Sequence, residues 1–238
     1  MIEFRGTSKR YGAQRVLSDV ALTIAAGAVT AVVGPNGAGK TTLLKIILGL
    51  VRADAGEVLF QGKSIAGGHD YRANIGYMPQ VGHFPDNLSA RHVLRMLSEL
   101  RGAAATRDEE LLDVFTLRPE LDKRISAMSG GTRQKLNAVV AFLFAPGLML
   151  LDEPTAGLDP LASSALKDKI LAQRAAGRSF VLTSHNMADL DELADRVIFL
   201  LDGKVHFDGA PAALLQQTGQ QTLERAFAAL MKAEPVPA

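Results

Sequence analysis

Residues 29–41 read Val29-Thr30-Ala31-Val32-Val33-Gly34-Pro35-Asn36-Gly37-Ala38-Gly39-Lys40-Thr41, an apolar run that passes directly into a glycine loop. The run predicts a strand covered on both faces, and so a central one. After Lys40, the stretch Thr41-Thr42-Leu43-Leu44-Lys45-Ile46-Ile47-Leu48 has helical spacing and a stop near Gly49. A triphosphate needs several N–H donors aimed at one spot, and only glycines let the backbone come close enough to supply them. Gly34, Gly37 and Gly39 give that freedom, with Pro35, Asn36 and Ala38 between them. The helix start adds unpaired N–H groups and a positive dipole end across Lys40, Thr41 and Thr42. Lys40 can then reach the β- and γ-phosphates, and the Thr41 hydroxyl can bind Mg²⁺. These residues predict a chain that binds and cleaves ATP.

Outward from the loop, a second apolar run, Leu148 to Leu151, ends in Asp152-Glu153. Adjacent carboxylates on a strand end point to opposite sides, which divides their work. Asp152 suits the Mg²⁺ shell, and Glu153 suits a general base polarising water for in-line attack. A third run, Phe180 to Thr183, precedes Ser184-His185, and parallel sheets bind ligands outside the carboxyl ends of their strands. The His185 imidazole could donate to the γ-phosphate there, although a lone histidine after a strand is more often structural. Gln80 follows Ile75-Gly76-Tyr77-Met78-Pro79, a strand and turn. Its amide could contact both Mg²⁺ and the attacking water, or simply be solvated. His69, His83, His92 and His206 show no metal-ligand spacing and read as structural.

The 238 residues allow one large domain or a core with an inserted subdomain. Lys plus Arg total 26 against 25 for Asp plus Glu, a net charge of +1 that lends no support to nucleic-acid binding. The absence of cysteine excludes disulfides and thiolate metal sites and fits a reducing compartment. Met1 to Arg5 opens on a strand pattern without the regions of a signal peptide, so the chain is expected not to be exported. The apolar stretch Ala138 to Leu151 is broken by Pro146-Gly147 and too short to span a bilayer.

Short strands are expected around Ile2 to Ser8, Val20 to Ile24 and Glu57 to Phe60. Between Gln80 and Ser129 the period is helical. Ser89 caps a helix with the apolar face Val93, Leu94, Met96, Leu97 and Leu100, and Thr106 with Glu109 forms a capping box before Leu111, Leu112, Val114 and Phe115. Beyond it the α/β pattern resumes. It predicts a helix from Thr132 to about Phe144, another entered by Asp159 and Pro160, and a hairpin joining Arg196–Leu201 to Lys204–Phe207 through Asp202-Gly203. The end, Glu234 to Ala238, is expected to be disordered.

Met128-Ser129-Gly130-Gly131-Thr132-Arg133-Gln134 is a second glycine-rich helix start, with no second triphosphate to serve in one chain. With this segment added to the loop and the carboxylates, the chain resembles the ATP-binding cassette (ABC) family over nearly its whole length. The family's signature, L-S-G-G-Q, opens a helix that binds the γ-phosphate held by the other subunit. Here Ser129, Gly130 and Gly131 match it, and Thr132 departs from it. In the family's terms Gly34 to Thr41 resembles the Walker A loop, Gln80 the Q-loop, and Leu148 to Glu153 the Walker B strand with its base. Gly157-Leu158-Asp159 resembles the D-loop and His185 the switch histidine. Tyr11, in Lys9-Arg10-Tyr11-Gly12, is similar to the adenine-stacking aromatic, a contact worth roughly 1–3 kcal/mol.

The resemblance implies an α/β fold: a P-loop NTPase (RecA-like) core with an N-terminal antiparallel β subdomain and an inserted α-helical subdomain. The divisions fall at 1–84 and 134–215 for the core with its β subdomain, 85–133 for the insert, and 216–238 for a C-terminal helix and tail. It implies two copies, or a pair with a related ATPase subunit, closing head to tail over two ATP molecules with Mg²⁺. It also implies separate integral membrane subunits docked at the insert and the Gln80 loop, and a peripheral place on the cytoplasmic face of the cell membrane. The chain ends soon after its last hairpin, without the regulatory domain of some sugar importers, and is similar to ATPases of drug-, sodium- or copper-related exporters. One such subgroup serves copper-site maturation of nitrous oxide reductase. A soluble relative acting on DNA or ribosomes fits less well. Only 48 residues separate Gln80 from Ser129, too few for a long coiled coil, and there is one set of motifs, not two. A GTPase would carry Asn-Lys-x-Asp, which is absent.

Overall fold

The computed structural model describes residues 1–102 and 106–232. Two long strands, β1 (Ile2–Tyr11) and β2 (Gln14–Ile24), form a hairpin that closes with Tyr11 opposite Gln14. β3 (Val29–Val33) leads through the glycine loop to α1 (Lys40–Ile47). Next come β4 (Ala55–Phe60), the short β5 (Lys63–Ser64) and β6 (Ile75–Met78). A helical stretch holds α2 (Ala90–Arg101), α3 (Glu110–Val114) and α4 (Gly130–Phe142). The chain then alternates through β7 (Leu148–Asp152), α5 (Pro160–Ala175), β8 (Ser179–Thr183), α6 (Met187–Leu193) and β9 (Arg196–Leu201). It continues with β10 (Lys204–Gly209), α7 (Pro211–Thr218) and α8 (Leu223–Lys232).

The strands make two sheets, a four-stranded one in the order β2-β1-β4-β5 and a six-stranded one in the order β10-β9-β3-β8-β7-β6. The smaller is antiparallel. In the larger, β9, β3, β8, β7 and β6 run parallel, and β10 closes one edge as the antiparallel arm of a hairpin. Every residue of β3, β7 and β8 is buried, as strands covered on both faces must be. Register puts Val32 beside Thr183 and Thr183 beside Asp152, so the carboxyl ends of three adjacent strands open on one edge. One core lies under the helices around Phe142, Leu166 and Phe180. The other joins the sheets through Phe4, Leu17, Leu43 and Leu150.

Several boundaries depart from the sequence reading, each for a local reason. β2 begins at Gln14 rather than Val20, because β1 pairs with it down to the Gly12-Ala13 turn whatever its polar residues. The signature helix α4 starts at Gly130 and ends at Phe142, since Ser129 stands at its N-cap. The capping box at Thr106 and Glu109 does not form. Glu109 itself occupies the N-cap position without a side-chain cap bond, and its carboxylate pairs with Arg107 and Arg118 instead. On α2, Ser89 caps as expected, but Met96 and Leu100 of its apolar face are exposed, at 42% and 78%. The expected disorder at Glu234 to Ala238 lies outside the described residues. Among the described residues no helix is long and apolar enough to cross a membrane.

Candidate nucleotide site

The glycine loop is shaped by what surrounds it. Gly34 has φ +153°, and a Cβ there would lie 2.0 Å from the Leu200 carbonyl oxygen on β9. Gly39, the N-cap of α1, has φ +105°, and its Cβ would strike Leu17 and the Val16 carbonyl of β2. Both positions need glycine because backbone passes too close for a side chain. Lys40 is buried and donates to the carbonyls of Gly34 at 2.7 Å and Pro35 at 3.1 Å. Burial pushes its ammonium below the ordinary lysine range, against the attraction of Glu153 and Asp152.

One residue further, the Thr41 hydroxyl donates to Asp152 Oδ2 at 3.0 Å. Asp152 is buried at the end of β7, and its Oδ1 accepts from the Thr183 hydroxyl at 2.6 Å. The strand stops there. Glu153 is not extended but left-handed, at φ +51°, so its separation from Asp152 comes from a turned backbone rather than from strand alternation. Its Oε1 lies 3.0 Å from His185 Nε2, just past the end of β8.

A cleft of about 240 Å³ is lined by Asn36 to Thr42, Gln80, Glu153 and His185. Pro35 and Gly34 close the loop behind it through the Lys40 bonds. Gln14 and Val16 of β2 also line the cleft. Sequence reading passed them over, and the only clue was the short Gly12-Ala13 turn that folds β2 back along Tyr11. Thr41 and Asp152 offer hard oxygen donors side by side, which suits a small divalent cation. Among the described residues no cluster of three or more His, Cys, Asp or Glu could hold a metal alone. A cation that keeps waters and phosphate oxygens in its shell fits that donor set.

The remaining candidates stand apart from the cleft. Tyr11 is half exposed, with the Lys9 ammonium 5.5 Å from its ring centre, and does not line the cleft. Ser129 and Gly130 are exposed, and the Ser129 oxygen accepts from the Thr132 N–H at 3.1 Å and pairs with the Thr132 hydroxyl at 2.8 Å. Gly131 faces the Gly157 carbonyl, so the signature turn abuts the Gly157 to Asp159 loop. Asp159 caps α5 through the Ala162 N–H and pairs with Lys135 at 2.6 Å. The Lys135 ammonium, and then that N–H, hold its carboxyl below the usual range.

Residues 17–156 match the family model described as ABC transporter. Two curated relatives are similar over most of the chain. The Nod factor export ATP-binding protein I of Burkholderia lata is 32% identical over 220 residues, 90% of this chain and 72% of that protein. The daunorubicin resistance ATP-binding protein DrrA3 of Streptomyces coeruleorubidus is 34% identical over 224 residues, 92% of this chain and 71% of that one. Among solved structures, an ATP-binding subunit of an ABC transporter superposes with a TM-score of 0.90 at 32% identity, covering 98% of this chain and all of that one. A dimeric ATP-binding cassette in a post-hydrolysis state with ADP and phosphate shares the fold, with a TM-score of 0.79 at 24% identity over 88% of this chain and 98% of that one. The chain belongs to the ABC transporter family, as an ATP-binding subunit with the P-loop NTPase fold.

Proposed function

We propose that this subunit hydrolyses ATP to ADP and phosphate in a site shared between two copies, and that separate membrane subunits turn the resulting closure and opening into export. The observation that carries the reading is the meeting of Lys40, Thr41, Gln80, Glu153 and His185 in one cleft, with Asp152 beneath it. Gly34 to Thr42 hold the phosphates, and Lys40 leaves its loop carbonyls for the β- and γ-oxygens. Thr41 and Asp152, with Gln80, would hold Mg²⁺, which supplies charge neutralisation across those oxygens when the nucleotide is bound. Glu153 takes a proton from the attacking water. His185 holds the carboxylate through Nε2, and with nucleotide bound that N–H turns to the γ-phosphate.

Tyr11, beside Gln14 at the rim, takes the adenine. Ser129, Gly130 and Gly131 lie outside their own cleft and present donors to solvent, which suits the γ-phosphate of a facing copy. Asp159, tied to the signature helix by Lys135, meets the same partner. In this reading residues 1–84 and 134–215 form the ATP-binding core, 85–133 the helical subdomain and 216–238 the C-terminal piece. Exposed Met96 and Leu100 on the helical subdomain, with the Gln80 loop, receive the membrane subunit at the cytoplasmic face. Export follows the name of the Nod factor relative, and the drug-resistance name of the other agrees with it. The two names point to different compounds at similar identity, which supports leaving cargo selection to the membrane subunits.

Glu153→Gln tests the reading. Its kcat is expected to fall by about 10²–10⁴-fold, the usual worth of a general base. ATP affinity should hold in calorimetry, and an ATP-bound dimer should accumulate in size-exclusion chromatography. Turnover at the parent rate would remove Glu153 from the chemistry.

A further inference from the structure

Thr183 ends β8, is fully buried, and stands in register with Asp152. Its hydroxyl meets two groups with opposite demands. The Glu153 amide can only donate, and it does so to Thr183 Oγ1 at 3.0 Å, with a second contact to the Thr183 carbonyl oxygen at 3.2 Å. An ionised Asp152 can only accept, and its Oδ1 lies 2.6 Å from the same hydroxyl. The one proton of Thr183 is thereby committed to Asp152, and a lone pair to Glu153.

Two consequences reach the cleft. Asp152 Oδ1 is occupied, which turns Oδ2 toward Thr41 at 3.0 Å. Glu153 is held at φ +51°, a left-handed backbone that a non-glycine residue keeps only where its surroundings enforce it. From that turn its side chain lines the cleft and meets His185. The strand itself does not call for a hydroxyl here. Valine has the same shape, favours strands, and would avoid burying a polar atom.

We propose that Thr183 is a positioning residue for hydrolysis, aiming the Asp152 carboxylate at Thr41 and fixing the Glu153 turn. The assignment rests on the reading of Asp152 and Glu153 given above.

The test uses the full chain carrying Thr183→Val, Thr183→Ala or Thr183→Ser, beside Glu153→Gln. Thr183→Val keeps the shape and loses the hydroxyl. Its Mg²⁺-free ATP affinity by calorimetry should stay within about twofold of the parent, because the loop donors are untouched. Its kcat should fall roughly tenfold or more with little change in KM, the loss of one hydrogen bond to a charged group. The gain in ATP affinity on adding Mg²⁺ should shrink in the same variant. Thr183→Ser should recover both kcat and the Mg²⁺ response. Parent kcat in Thr183→Val with an inactive Glu153→Gln overturns the role of Thr183 and leaves the site reading standing. Parent kcat in Glu153→Gln removes the site reading, and this proposal with it. A Thr183→Ser chain as slow as Thr183→Val also overturns it, since shape rather than the hydroxyl would then matter. So does failure of both Val and Ala variants to fold, because the fold itself would then require the residue.

Discussion

Gly34 to Thr41 and Ser129 to Gly131 both start a helix with glycines, and they are finished in opposite ways. The first has Gly39 at its N-cap with no side-chain cap bond, and a buried ammonium bonded to the loop's own carbonyls. The second is capped by Ser129, which takes the Thr132 N–H, and its glycine start faces water. An uncapped helix start leaves its first-turn donors free for an anion, and the lysine keeps the loop in shape until one arrives. A capped, exposed start is complete as a helix end. Its remaining donors can serve only a group brought from outside. The contrast supports the proposal that the first is a binding site within one chain and the second half of a site that needs another.

Lys40→Ala gives the largest expected departure after loss of the base itself. Losing its charge-assisted bonds should weaken ATP binding by about 2–3 kcal/mol, roughly 30- to 150-fold in Kd by calorimetry. Undiminished affinity would erase the distinction between the two helix starts. Ser129→Ala should leave the ATP affinity of the monomer unchanged while kcat falls roughly 10- to 100-fold, the worth of one bond to a phosphate. A helix cap alone would predict a loss of only about 1 kcal/mol in stability and an unaltered kcat. Comparing urea midpoints with turnover separates the two accounts.

The smallest effect concerns the junction between the helix that Asp159 caps and the start of α3. Lys169, on the helix that Asp159 caps, is buried and pairs with Asp108 and Glu110 at the start of α3. Burial alone would lower its pKa, but the hydrogen bonds to Asp108 and Glu110 outweigh it and hold the ammonium above its ordinary value. A raised folded pKa means that the stabilisation is complete below the unfolded value and is lost as pH rises through the folded one. Lys169→Met should cost about 1–2 kcal/mol near neutral pH, less than a sealed pair because Glu110 faces water. The gap between parent and variant in urea unfolding should begin to close above about pH 10.5, the ordinary lysine value, and be lost as pH passes through the higher folded one. A gap that persisted there would assign the cost to packing.

Much of this arrangement is legible along the chain because its parts are local. β3, the loop and α1 follow one another, and their hydrophobic pattern and glycines depend on near neighbours only. The same holds for Asp152-Glu153 behind β7 and His185 behind β8. Gln14, Val16 and Thr183 escaped that reading. Their importance comes from register between strands far apart in sequence, and a Gln, a Val or a Thr in a strand carries no mark of it. The Thr106 capping box failed for a related reason, since Arg107 and Arg118 claim the glutamate that the pattern needed.

By itself the sequence determined that a glycine loop ahead of a helix, a carboxylate pair and a second glycine-rich helix start exist, because glycine spacing and strand periodicity are short-range properties. Only the tertiary structure decided that the strand ends meet in one cleft, that one buried hydroxyl joins the Asp152 carboxylate to the Glu153 backbone N–H, and that the second start lies outside it. Parallel register and the left-handed turn at Glu153 set those distances, and both come from contacts between segments that the linear chain keeps apart.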